Sequence, residues 1–276
     1  MVRTSDVKHG LKGLGLACHP GPTIAVTTLV TVVAWSAGRD AVGCVLVAAA
    51  ILTGHLSIGW SNDAIDAARD TSVDRTDKPI VAGLVTRRTV WIAAVTAAAA
   101  CVPLSLASGL LAGCAHLVGV AMAWSYNLWL KSTVVSWLPY AVAFGLLPSF
   151  VTLGTPPNHA WAPWWATTAT ALLGVGAHLA NVVPDLADDR ATGVRGWPHR
   201  LGGAARLVAP LPLAVATILL VVAPDGPVGV AGWITLAVVA VLLAVIVSWQ
   251  NAPFLLTIAV AAVSIVLLVL RGDALT

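Results

Sequence analysis

The chain has 276 residues, 58% hydrophobic and only 10% charged. A water-soluble domain carries roughly a quarter charged residues, so this composition excludes a freely soluble globular fold and makes the lipid bilayer the solvent for most of the surface. The net charge of +3 carries no sign of a nucleic-acid partner. What matters is where the charges lie: there is no Glu, and eight of the twelve Asp fall within 63–77 and 185–189.

In chain order, the first 17 residues are polar and basic, with no apolar stretch close behind the start. They read as part of a cytoplasmic N-terminal segment, 1–20, and not as a secretory signal. Apolar runs of membrane-spanning length follow at 21–37, 41–61, 88–107, 109–128, 134–153, 162–183, 205–223, 229–248 and 253–270. The expected fold is an all-α integral membrane protein, a single polytopic domain over 1–276 with nine transmembrane helices around a central cavity. Gly, Pro, Asn and Asp punctuate the breaks, and small residues within the runs allow close helix packing in lipid. With the N-terminus inside, every Lys and Arg except Arg39 and Arg271 falls on the cytoplasmic side, as the positive-inside rule requires. The expected location is the cell membrane, multi-pass, with both Asp clusters at the cytoplasmic ends of the second and sixth helices.

The first cluster places Asn62, Asp63, Asp66 and Asp70 on one helix face through i+3 and i+4 steps, with His55 a turn deeper. Carboxylates stacked this way repel one another unless a cation sits among them. An all-oxygen set without Cys favours Mg²⁺, which takes one or two carboxylates plus substrate phosphates. The second cluster repeats the pattern as Asn181, Asp185 and Asp189, with His178 extending the stripe inward and Pro184 interrupting the helix. Two such stripes point to a clamp on a metal–diphosphate. Arg69, Arg75, Lys78, Lys131 and Arg190 are placed to neutralise the diphosphate. Trp124, Tyr126 and Trp129 read either as an interfacial aromatic belt or as a wall that shields a carbocation. Trp161, Trp164, Trp165, Trp233 and Trp249 read as belts, His19 and His116 as core or interfacial histidines, and the four Cys as packing thiols.

These residues resemble the UbiA-type intramembrane prenyltransferases. The first family motif matches at Asn62, Asp63, Asp66 and Asp70, followed by Lys78-Pro79 where the family usually has Arg-Pro. A Tyr–Lys segment matches at Tyr126 and Lys131. The second motif matches at Asn181, Asp185, Asp189, Arg190, Gly193, Pro198, Arg200, Leu201 and Gly202. The resemblance implies Mg²⁺-dependent transfer of a prenyl group from a prenyl diphosphate donor to a small lipophilic or aromatic acceptor within the membrane. It implies metal binding by Asp63, Asp66, Asp70, Asp185 and Asp189. It also implies catalytic roles for Asp63, Asp66, Asp185, Asp189 and Lys131, and substrate binding by Asn62, Arg69, Lys78, Tyr126, Asn181 and Arg190. His19-Pro20 stands where many members carry Arg-Pro, a departure that bears on the acceptor. A terpene cyclase of the same superfamily, ionising the diphosphate without an acceptor, is the nearest alternative. A CDP-alcohol phosphotransferase expects Asp-Gly where this chain has Asp66-Ala67. A cation-coupled transporter would place its carboxylates near the bilayer midplane.

Overall fold

The computed structural model describes residues 4–249 and 254–275, and among these the chain is helical with no strand. The helices are α1 (Thr4–Ala17), α2 (Pro20–Ser36), α3 (Ala41–Ser72), α4 (Arg87–Leu106), α5 (Leu110–Leu128), α6 (Leu138–Gly145), α7 (Leu147–Leu153), α8 (Trp164–Val182), α9 (Leu186–Ala191), α10 (Trp197–Leu201), α11 (Ala205–Val208), α12 (Pro210–Val222), α13 (Val230–Ser248) and α14 (Phe254–Leu270). Their limits follow local chemistry. Asp40 caps α3 by accepting from the Gly43 N–H at 2.7 Å, and Thr86 caps α4 by accepting from Thr89 N at 3.1 Å.

All nine apolar runs are helical, but not all as single rods. Pro148 cannot continue the ladder, so the run at 134–153 divides into α6 and α7 at Leu146. The run at 205–223 divides ahead of Pro210, where α10–α11 and α12 bend by 55°. Among the described residues three helices are long and apolar enough to cross a bilayer unbroken: α3, α4, and α8 with its short extension to Asp185. Counting the bent pairs α1–α2 and α10–α12 brings the number to five, with α6–α7 and α13 as shorter apolar helices. The apolar run ends near 61, but the helix does not, in keeping with the i+3 and i+4 spacing of the first stripe. Helix α3 runs on unbroken to Ser72 and carries the whole stripe.

The helices close into a ring in chain order. Each of α2 to α5 packs on the next, α5 on α6 and α7, α6 on α8, and α8 on α12. Helix α12 packs on α13 and α14, and α14 returns to α2 and α8. Ala34, Ala50, Ala112, Ala166, Ala169 and Ala216 are buried between the larger Ile51, Phe150 and Leu213, the small-against-large pattern that close packing in lipid demands. At Gly174 a Cβ would stand 2.4 Å from the Tyr140 carbonyl, so α6 and α8 meet backbone to backbone. Trp161, Trp164, Trp233 and Trp249 are exposed, as belts require, whereas Trp165 is buried in the core and is a packing residue. His116 is a core histidine: Nδ1 lies 2.8 Å from Ser105 Oγ and the ring stacks on Phe150 at 4.7 Å.

Candidate active site

Because α3 continues to Ser72, its last turns carry Asp63, Asp66 and Asp70, each less than a tenth exposed. Buried charges persist only when paired, and each here is met by a cation. Lys78 Nζ donates to Asp63 Oδ1 at 2.9 Å. Lys131 Nζ donates to Asp66 Oδ1, while Arg69 Nη2 donates to Asp66 Oδ2 at 3.0 Å. Arg69 Nε stands 3.9 Å from Asp70. Asn62 Nδ2 reaches Asp66 Oδ2 at 3.2 Å and Asn127 Oδ1 at 3.3 Å. Asn127 in turn donates to the Ile58 carbonyl and Ser61 Oγ, tying α5 to α3 beside the stripe.

Lys78 arrives on the loop between α3 and α4. Hydrogen bonds from Arg75 N to Asp70 O, Lys78 N to Arg75 O and Ala82 N to Lys78 O fold that loop against the helix end. Arg75 does not face the stripe alone: it holds Asp77 through two bonds of 2.9 Å. That pairing lowers Asp77 and raises Arg75, whose charge is also felt by Asp185 and Asp70. Lys131 lies in a 3₁₀ turn after α5. Burial pushes its pKa down, and Asp66, with a smaller pull from Asp189, opposes that.

The second stripe begins where the helix breaks. Helix α8 ends at Val182, Val183–Asp185 form a 3₁₀ turn at Pro184, and α9 follows. Burial raises Asp189 above the usual carboxylate range, opposed by Arg69 and His199. Arg69 and Lys131 therefore act on carboxylates of both stripes. The two motifs are more than 100 residues apart in sequence, and the segment after Lys131 links them: Lys131 pairs with Asp66, while the chain following the second stripe rests on the Lys131 carbonyl at Gly196 and on Ser136 at Trp197. Tyr126 stands beside them, edge-on to Tyr140 at 5.1 Å and to His178 at 5.6 Å. Asn181 is exposed on the last turn of α8. Arg190 turns to the following segment, donating from Nη2 to the His199 carbonyl at 2.8 Å.

Several residues here had little or no sequence signal. His19 joins α1 to α2 at a 61° bend in left-handed conformation, φ 54, and its Nε2 lies 3.3 Å from Asp63 Oδ1. It faces the site instead of serving as a core or interfacial histidine. Gly59 permits this: a Cβ there would stand 2.5 Å from the Cys18 carbonyl. His199 Nε2 lies 3.2 Å from Asp189 Oδ2. Ser136 Oγ lies 3.0 Å from His178 Nε2 and accepts from Trp197 N at 2.9 Å. Tyr140 and Asn127 sit outside both Asp-rich motifs and are brought in only by packing.

Among the described residues, no three His, Cys or Asp side chains converge closely enough to enclose an ion by themselves. The donor set is oxygen-only, and Asp63 Oδ2 is buried without a partner, an acceptor atom that a cation would satisfy.

A sequence model described as the UbiA prenyltransferase family matches residues 24–271. No curated protein sequence matches the chain. Among solved structures the chain is similar to a UbiA homolog from Archaeoglobus fulgidus bound to GPP and Mg²⁺, with TM-score 0.72 and 17% identity over 95% of this chain and 99% of that one. It is also similar to a UbiA homolog from Aeropyrum pernix K1 in its apo form, with TM-score 0.67 and 21% identity over 91% and 98%. A third similar structure is a digeranylgeranylglyceryl phosphate synthase, with TM-score 0.70 and 14% identity over 95% and 98%. At such identities the likeness is one of fold.

Proposed function

This chain belongs to the UbiA prenyltransferase family, and from that premise we propose that it transfers a prenyl group from a prenyl diphosphate to a small aromatic acceptor inside the membrane, with Mg²⁺. The observation that carries the reading is the buried stripe of Asp63, Asp66 and Asp70 met by Lys78, Lys131 and Arg69. In this reading the chain is one domain crossing the cell membrane nine times, with the N-terminus and the site's mouth cytoplasmic.

Asp63, Asp66, Asp70, Asp185 and Asp189 would hold Mg²⁺ together with the diphosphate. The ion, when bound, supplies Lewis-acid charge that eases departure of the diphosphate. Lys78, Lys131 and Arg69, already aimed at the first stripe, add fixed positive charge where negative charge grows as the C–O bond breaks. Asn62, tied to Asn127, and Asn181 orient the donor head, and Arg190 secures the segment behind the second stripe. The rings of Tyr126 and Tyr140 would stabilise the allylic cation through their π-faces, and the apolar bundle keeps water from it. The acceptor attacks C1 and loses a proton to a carboxylate of the second stripe. Relatives give the donor class by analogy: two Archaeoglobus fulgidus UbiA homolog structures hold GPP or DMAPP with Mg²⁺.

The test is diphosphate release from prenyl diphosphates of several lengths by the protein in nanodiscs. It is run with Mg²⁺ or EDTA and with or without an acceptor panel, and products are identified by mass spectrometry. Mg²⁺-dependent release that requires an acceptor is the expected result. Release without one, yielding a cyclic hydrocarbon or alcohol, replaces the transferase by a cyclase. No release from any donor overturns the reading.

A further inference from the structure

The short helix α10 is fixed on three sides. Arg190 Nη2 binds the His199 carbonyl at 2.8 Å. Trp197 N donates to Ser136 Oγ at 2.9 Å. Gly196 lies against the Lys131 carbonyl so closely that a Cβ would stand 2.4 Å from it. The turn ahead of it is equally determined: Val194 N donates to the Asp189 carbonyl at 2.9 Å, and Gly193 has φ 84, a left-handed value that glycine adopts without strain. This scaffold delivers one side chain to the second stripe. His199, its side chain 3% exposed, sets Nε2 3.2 Å from Asp189 Oδ2. Its Nδ1 is buried without a partner, so the neutral tautomer that fits carries its proton on Nε2 and donates it to the carboxylate. One oxygen of Asp189 is thereby held, and the carboxylate plane with it.

Resting on the reading of Asp189 as a ligand of the Mg²⁺–diphosphate, we propose that His199 is a positioning residue, which fixes Asp189 by hydrogen bonding Oδ2 and so presents Oδ1 to the cation. Ligating carboxylates are commonly steadied by such outer hydrogen bonds, and losing one typically weakens metal affinity about 10–100-fold. The role is distinct from packing, because it depends on an N–H at the Nε2 position and not on the volume of the ring. Gln carries an N–H at comparable reach; Ala carries none.

The test is binding of radiolabelled inorganic diphosphate to the full-length protein in nanodiscs as a function of Mg²⁺, with thermal midpoints recorded alongside. His199→Ala is expected to raise half-saturating Mg²⁺ about 10–100-fold and His199→Gln to remain within about threefold of wild type, with both variants binding diphosphate once Mg²⁺ saturates. If the Ala variant does not fold, His199→Asn, polar but too short to reach Asp189, takes its place. An unchanged Mg²⁺ requirement in His199→Ala, or equal losses in the Ala and Gln variants, overturns the positioning role. Asp189→Asn separates the two levels: if it alters the Mg²⁺ requirement while His199→Ala does not, only the role of His199 falls. If Asp189→Asn changes nothing, or wild type shows no Mg²⁺-dependent binding, the ligand role of Asp189 falls and this inference with it.

Discussion

Asp63 is the most heavily committed residue of the first stripe: Oδ1 faces both Lys78 and His19, and Oδ2 is buried and unpartnered. Asp63→Asn keeps the volume but removes the charge that balances Lys78. It should fold with a stability loss of about 1–3 kcal/mol, the usual range for a compromised buried polar partner. Turnover should fall roughly 100-fold or more, the scale of losing one preorganised electrostatic group. Thermal melts and product formation read the two separately, and full activity would remove Asp63 from the metal site. The pH dependence follows from two displaced groups. Asp189 is raised by burial, so it takes up a proton earlier as pH falls. Protons and Mg²⁺ compete for it, and the Mg²⁺ requirement should rise as pH falls, beginning at a higher pH than for an ordinary aspartate. Lys131 is lowered by burial, so it sheds its charge earlier as pH rises. Diphosphate affinity at saturating Mg²⁺ should weaken on the alkaline side before an ordinary lysine would titrate. A Mg²⁺ requirement that does not rise as pH is lowered would contradict the first expectation.

At the scale of elements, the joint between α1 and α2 seats His19 over α3 through Gly59, while Thr23 Oγ1 donates to the Cys18 carbonyl at 2.8 Å and Trp60 Nε1 to the Leu14 carbonyl at 2.9 Å. Gly59→Ala forces a Cβ against that backbone. It should destabilise by about 1–3 kcal/mol, as overpacking does, and lower activity by lifting His19 from Asp63. A melting temperature and turnover equal to wild type would show the joint to be more pliant than drawn. This joint also marks the limit of what could be read in advance. The stripes were legible because helical periodicity is local: Asn62 does bond Asp66 at i+4, and Pro184 does break the helix. The bend at His19, the division of α6 from α7 and the approach of His199 to Asp189 depend on neighbours distant in sequence. Hydropathy registers how apolar a run is, not where its backbone turns. The basic residues illustrate the same limit: Lys78, Lys131 and Arg69 meet carboxylates, whereas Arg190, next to Asp189 in the second motif, donates to the His199 carbonyl.

For the whole molecule, the ring of helices sets both stripes at one end and the Arg39–Gly154 contact at the other. There Arg39 is buried, with its guanidinium so close to Gly154 that a Cβ would stand 2.6 Å from it. The nine-span orientation predicts that the loops bearing Lys78 and Lys131 face the cytoplasm and that those around Asn158 and Asp225 face away. Single cysteines at Thr76 and Asn158 on a cysteine-free background should label with an impermeant maleimide from opposite sides; labelling from the same side would require a different threading.

The ion pairs of the first stripe bring in the order of synthesis. Asp63 finds Lys78 15 residues later, on the loop that joins α3 to α4, and Asp66 finds Arg69 within one turn of α3; α3 and α4 pack on one another directly. The first half of the site can therefore leave the ribosome and enter the bilayer as a helical hairpin with Asp63 and Asp66 each already holding one cation, while Lys131, the second partner of Asp66, follows later. The second half is still unmade at that point, which spares the emerging chain unpaired charge at the edge of the membrane.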